Sequence, residues 1–213
     1  MLRIIFPFIL FILSGKIIAQ DPEAKLVQEA FNKYKTAILN DQGKDAVEWI
    51  DSRTEKYYAE ILEKVKHADS LTVESFSLLD KLMVFTIRHR ASKEEILSFD
   101  GKSLIVYAIE KGMVGKNSVM NLTIGEVNTG GNFAKGQIVV NGKPEPYYFH
   151  FYKENGVWKI DLTSAFAISA TLFEQMAEAS GETENDYLFM LLEMITGERP
   201  GHKVWEVVES KTN

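Results

Sequence analysis

Tyr147-Tyr148-Phe149-His150-Phe151-Tyr152-Lys153-Glu154-Asn155-Gly156-Val157-Trp158-Lys159-Ile160-Asp161-Leu162-Thr163 is a pair of alternating runs joined by Asn-Gly. Both residues of that pair tolerate positive φ, which a type I′ turn demands at its two central positions, so the stretch predicts a β-hairpin. A two-residue loop also sets the register. Glu154 opposes Val157, Tyr152 opposes Lys159, Phe151 opposes Ile160 and His150 opposes Asp161; continued outward, the count pairs Phe149 with Leu162 and Tyr148 with Thr163. Because side chains alternate between faces, Phe149, Phe151, Trp158, Ile160 and Leu162 share an apolar face. Tyr148, His150, Tyr152 and Asp161 fall on the opposite, polar-aromatic one.

Outward from the hairpin, the period stays near two back to Gly115. Runs at 119–127, 133–140, 147–153 and 157–163 read as strands, separated by Thr129-Gly130-Gly131-Asn132, by Asn141-Gly142 and by Asn155-Gly156. Links this short join only antiparallel neighbours, so the sheet is expected to be a four-stranded meander. Gly142-Lys143-Pro144-Glu145-Pro146 leaves the register at that link unfixed by the sequence, because neither proline can donate to a ladder.

The chain before Gly115 has a helical period. Asp21 can cap a helix with Pro22 at its first position, and Val27, Ala30, Phe31, Tyr34, Ala37 and Ile38 recur on one face. Val47, Trp49 and Ile50 form a short second segment. Ser52-Arg53-Thr54-Glu55 and Ser92-Lys93-Glu94-Glu95 have capping-box spacing, and Gly112 ends a short helix that carries Leu104, Ile105, Ala108 and Ile109. Two further helices, 165–180 and 186–196, follow the strands. Val204-Trp205-Glu206-Val207-Val208 is apolar enough to be expected to dock on the body. No internal repeat or long linker divides residues 20–213, which are expected to form one domain.

Residues 1–19 read differently: Arg3 supplies a positive start, Ile4 to Leu13 is uninterruptedly apolar, and Ala19 puts a small residue before a cut. The apolar run is about half the length of a spanning helix, so a signal peptide is expected rather than a retained anchor. The chain is then exported, to a periplasmic or extracellular location. It contains no cysteine, which excludes disulfides, thiol catalysis and thiolate metal sites, so an exported fold must stand on its core. The net charge is −6, becoming −8 when Arg3 and Lys16 leave, and Arg88-His89-Arg90 is too short a basic cluster to engage nucleic acid.

Helices first, then an antiparallel meander ending in an aromatic strand, an Asn-Gly turn and Val157-Trp158-Lys159-Ile160-Asp161-Leu162, resembles the nuclear transport factor 2-like group. Phe31, Tyr34 and the pair Tyr57-Tyr58 resemble its first helices. The resemblance implies an α+β fold in which a curved antiparallel four-stranded sheet wraps the N-terminal helices around a cone-like apolar cavity. Members use that cone for isomerisation, dehydration, small-ligand binding or protein contacts. The two C-terminal helices and the helical stretch 75–112 depart from the pattern and could fill or cover it.

Within that frame, Tyr34, Trp49, Tyr58, Phe149, Phe151 and Trp158 are candidates to line a ligand cavity, although aromatics at helical spacing more often build core. Tyr148, His150, Tyr152 and Asp161 are candidates for contacts through the outer sheet face. His150 facing Asp161 could be an acid-base pair, but the plainer reading is a cross-strand polar pair on the wrong face for a cone. No catalytic residue is assigned. The four histidines lack metal-ligand spacing, and neither metal nor cofactor is implied. The expected function is an exported binding or scaffold module taking a small apolar ligand or a protein partner. The alternatives are an isomerase or hydro-lyase acting in the cone, and a structural protein that forms a homodimer through the sheet face. No nucleic-acid partner and no stable membrane anchor are expected.

Overall fold

The computed structural model describes residues 21–114 and 116–210 and is α+β. The segment 1–19 lies outside them, and no helix among the described residues is long and apolar enough to cross a membrane. Eight helices come first: α1 (Pro22–Leu39), α2 (Gly43–Val47), α3 (Ser52–His67), α4 (Ser70–Glu74), α5 (Leu78–Arg90), α6 (Lys93–Ser98), α7 (Gly101–Glu110) and α8 (Asn117–Met120). The strands β1 (Leu122–Gly130), β2 (Phe133–Val140), β3 (Lys143–Glu154) and β4 (Val157–Asp161) form one antiparallel meander in chain order. Helices α9 (Phe166–Ser180) and α10 (Glu184–Thr196) follow it.

The hairpin forms as its sequence requires. Asn155 and Gly156 adopt φ of 50° and 81°, and His150, Phe151, Tyr152 and Glu154 face Asp161, Ile160, Lys159 and Val157. The ladder stops there. Asp161 accepts a hydrogen bond from the Thr163 amide, which turns Leu162–Ala165 into a 3₁₀ turn, so the expected pairs Phe149 with Leu162 and Tyr148 with Thr163 are not made. A short polar side chain bonding to the backbone two residues on competes with the ladder, and here it wins.

Two other strand limits differ from expectation. β3 begins at Lys143 because Asn141 and Gly142, at φ 50° and 76°, make a second two-residue turn; Pro144 opposes Val139 beside a break in register after Gln137. That irregularity absorbs the donor the proline lacks. At the other end, Val119 belongs to α8 and not to β1, since it is buried while Asn117, Ser118 and Met120 stay exposed. The cap of α3 is also shifted by one residue. Asp51, not Ser52, accepts from the Thr54 amide, and Ser52 instead donates through its amide and its hydroxyl to Glu154 on β3.

Helix α1 lies across the inner face of the sheet, where Val27, Phe31 and Ile38 pack with Phe151, Trp158 and Ile160. A second cluster is helical: Ile61, Leu62 and Val65 of α3, Val84 and Phe85 of α5, and Leu188 and Leu192 of α10. Helix α7 serves both clusters, giving Ile105 and Ile109 to the first and Leu104 to the second. The C-terminal segment docks, with Val204 fully buried and the Trp205 ring 4.7 Å from that of Phe85.

Candidate ligand cavity

The six residues read as cavity candidates do not converge on one cone. Tyr34 and Phe151 are buried in the sheet-side core, and Phe149 stacks at 5.9 Å on Phe31 of α1, so helix side chains fill the inner face of the sheet. Trp49 and Trp158 flank a surface groove with Leu26, Lys33 and Val157, where the Lys33 ammonium sits 4.4 Å from the Trp49 ring centre. Only Tyr58 reaches an apolar cavity, and that cavity lies among helices.

On the outer face, alternation does send His150 and Asp161 away from the apolar anchors, yet Asp161 is 5% exposed. The turn Leu162–Ala165 folds over that corner: Asp161 accepts from the amide and hydroxyl of Thr163, and Ser164 accepts from the His150 amide. Its carboxylate is therefore occupied as a cap. Burial first, then the cross-strand neighbour Lys135, push the His150 imidazole below its usual value, against the pull of Asp161. Tyr152 is covered by the Arg53 guanidinium, 3.4 Å from its ring centre, which leaves Tyr147 and Tyr148 as the exposed aromatics of that strand.

The helical cavity has a volume of about 210 Å³ and lies where α3, α5, α7 and α10 meet. From α5 the i, i+4 spacing of Leu82, Thr86 and Arg90, with Met83 and Ile87 beside them, turns one stripe toward it. Across from that stripe, α7 contributes Leu104 and Ala108, α10 contributes Leu192, Ile195 and Thr196, and Met113 and Val114 close one side. Ala108 is the residue that leaves room. The walls are overwhelmingly apolar and include no carboxylate.

Few polar groups reach this space. Thr86 and Thr196 satisfy their hydroxyls on the Leu82 and Leu192 carbonyls, at 2.6 and 2.7 Å. Tyr58 of α3 is different: among the described residues its hydroxyl makes no hydrogen bond, and burial pushes the phenol up to about 12. Arg90, the last residue of α5, donates at 2.6 Å to the Lys111 carbonyl and makes no ion pair among the described residues. A phenol that stays protonated and a guanidinium can hold a polar or anionic group; neither can act as a base near neutral pH.

A second concavity of about 360 Å³ lies where Phe76 and Leu78 meet Glu174, Glu178, Glu182 and Glu184. No group of three or more acidic or histidine side chains among the described residues is placed to hold a metal ion. Sequence reading found Tyr58 as an aromatic and missed Arg90, Leu104, Ala108 and Ile195 as its neighbours. The one signal available was Arg90 itself, a cation ending an amphipathic helix with no acidic residue three or four positions before it. Compared with protein-family models, with curated proteins and with solved structures, the chain matches none.

Proposed function

We propose that the chain is an exported binding module of the nuclear transport factor 2-like kind, and that it takes a small apolar ligand into the cavity between α3, α5, α7 and α10. One observation carries the reading: about 210 Å³ of apolar space between four helices, with no carboxylate in its walls and Tyr58 and Arg90 at its border. An enclosed apolar cavity of roughly 150 Å³ takes up benzene, so a monocyclic or short-chain molecule fits the volume of this pocket, which opens to solvent beside the exposed Ile195. The order of elements, helices before a meander whose inner face α1 covers, is what supports the family reading. Such a module binds in the helical layer, because the sheet side is packed.

The isomerase or hydro-lyase alternative has less support. Proton transfer near neutral pH needs a group that titrates near it, whereas the cavity offers a phenol pushed up to about 12 and a guanidinium. The sheet-face homodimer keeps Tyr148 as its exposed aromatic candidate, while Tyr152 is covered by Arg53 and Asp161 is occupied as a cap.

Toluene is the test probe. Titrated into the purified protein and followed by NMR, it is expected to shift resonances of Tyr58, Leu104 and Ile195 saturably. Ala108→Phe, which fills the space, removes the response, while a thermal melt checks that the variant is folded. Absence of saturable shifts in the wild-type protein, or equal shifts in the filled variant, overturns the reading.

A further inference from the structure

Resting on the cavity reading above, we propose that the ligand class is a small apolar carboxylate, its hydrocarbon body among Leu82, Leu104 and Ile195 and its carboxylate on Arg90 with Tyr58 as second donor. The other arginines among the described residues are either ion-paired or enclosed. Arg53 and Arg199 each hold a carboxylate within 4 Å. Arg88, two residues before Arg90, is enclosed by backbone carbonyls.

Arg90 fits neither pattern. It is partly buried beside apolar walls, spends one N–H group on the Lys111 carbonyl, and is left with the rest of a five-donor fork and its full charge. Thirty acidic residues are available in the chain, and among the described ones none is within ion-pair distance of it. A guanidinium beside desolvating apolar surface is the group that recognises a carboxylate through two parallel N–H bonds.

The second donor points to the same class. Tyr58 lines the same cavity as Arg90, and its hydroxyl, protonated through the physiological range, can donate to an anion there. A cationic ligand would meet Arg90 with no carboxylate in the lining to offset it. A neutral apolar ligand would fill the space and leave both donors unused. A multiply charged ligand such as a phosphate monoester would bring more charge than one guanidinium balances.

The experiment compares three probes of similar shape at pH 7 and fixed ionic strength: phenylacetate, its neutral isostere phenylacetamide, and toluene, each titrated calorimetrically or by NMR. Phenylacetate is expected to bind at least tenfold more tightly than the amide. In Arg90→Gln the acid-to-amide ratio should fall to within twofold, in Arg90→Lys it should be partly kept, and in Tyr58→Phe acid binding should weaken several-fold. Thermal melts check the fold of each variant. If acid and amide bind equally to the wild-type protein, or if Arg90→Gln keeps the full preference, the ligand class is wrong although the cavity reading stands. Should Ala108→Phe leave phenylacetate binding intact, the acid sits elsewhere and the proposal fails. If none of the three probes binds, the cavity reading itself is lost.

Discussion

Glu23 fastens the start of α1 to the far end of the hairpin. Its carboxylate accepts from the Lys153 ammonium at 2.8 and 2.9 Å and from the Trp158 indole at 2.6 Å. The Lys153 hydrogen bond, then that of Trp158, hold the Glu23 carboxyl below its ordinary value of 4.5. A carboxyl whose folded value is depressed stabilises the fold above its unfolded value, and that contribution is lost as pH falls and the proton binds. Denaturant unfolding of the wild-type protein and Glu23→Gln should therefore show a clear gap at pH 7 that narrows below about pH 4.5, toward the ordinary glutamate range. An equal gap at pH 7 and pH 3 would mean that the carboxylate charge is irrelevant there. Half of this cluster was legible: counting back from Asn155-Gly156 sets Lys153 against Trp158 on the apolar face, an odd place for a cation. Its partner was not, because it lies 130 residues away in sequence. Arg88-His89-Arg90 teaches the same limit, since consecutive helix residues point about 100° apart. The three meet backbone carbonyls, the Thr196 hydroxyl and the cavity respectively, three fates that no reading of the tripeptide as one basic cluster could separate.

At the scale of elements, α7 is held by two places where backbone meets backbone. A Cβ on Gly101 would lie 2.5 Å from the Glu55 carbonyl oxygen and 2.9 Å from the Ala59 amide of α3, and one on Gly43 would lie 2.5 Å from the Val106 carbonyl oxygen of α7 itself. Backbone atoms cannot swing aside as a side chain can, so a methyl group there moves a helix. Gly101→Ala should cost about 1 to 3 kcal/mol in denaturant unfolding, despite alanine's better helix propensity. Because α7 carries Leu104 and Ala108, the same substitution should also weaken toluene binding. Unchanged or increased stability would show that α3 and α7 tolerate separation. These glycines were visible in sequence only as punctuation, and close approach is a property of the partner helix. Element types were far more legible than their ends: β4 stops early because Asp161 bonds Thr163, and α3 starts on Asp51 because Ser52 is drawn to Glu154. In each case a local polar side chain chose between two backbones that the hydrophobic pattern allowed equally.

Across the whole molecule, the two cores share α3 and α7, and the C-terminal segment closes only the helical one. Arg88 is the joint. Buried to 2% exposure, its guanidinium donates to the Lys64, Val65 and Ala68 carbonyls at the end of α3, of which Lys64 also accepts from the Ala68 amide, and to the Val204 carbonyl of the docked segment. Burial pushes it down to about 10, so it remains charged at neutral pH, at the negative end of the α3 dipole. The Val208 and Glu209 amides add two bonds to the Lys66 carbonyl. Truncation after Pro200 removes the fully buried Val204, the Trp205 ring packed on Phe85 and Phe189, and one of the acceptors around Arg88. Burying a valine is worth roughly 1.5 to 3 kcal/mol and each aromatic pair roughly 0.5 to 1.5 beyond its area, so the loss should be about 3 kcal/mol or more. It should also be local. Amide exchange is expected to quicken in the last turn of α3 and in α5 and α10, while β2 and β3, whose core the segment does not touch, keep their protection. Arg88→Met, which keeps much of the volume but takes the guanidinium away from the Val65 and Ala68 carbonyls, should give the same map. A uniform rise in exchange through sheet and helices would show that the two cores open as one unit, and no rise at all would show that the C-terminal segment is a passenger on a helical layer already complete without it.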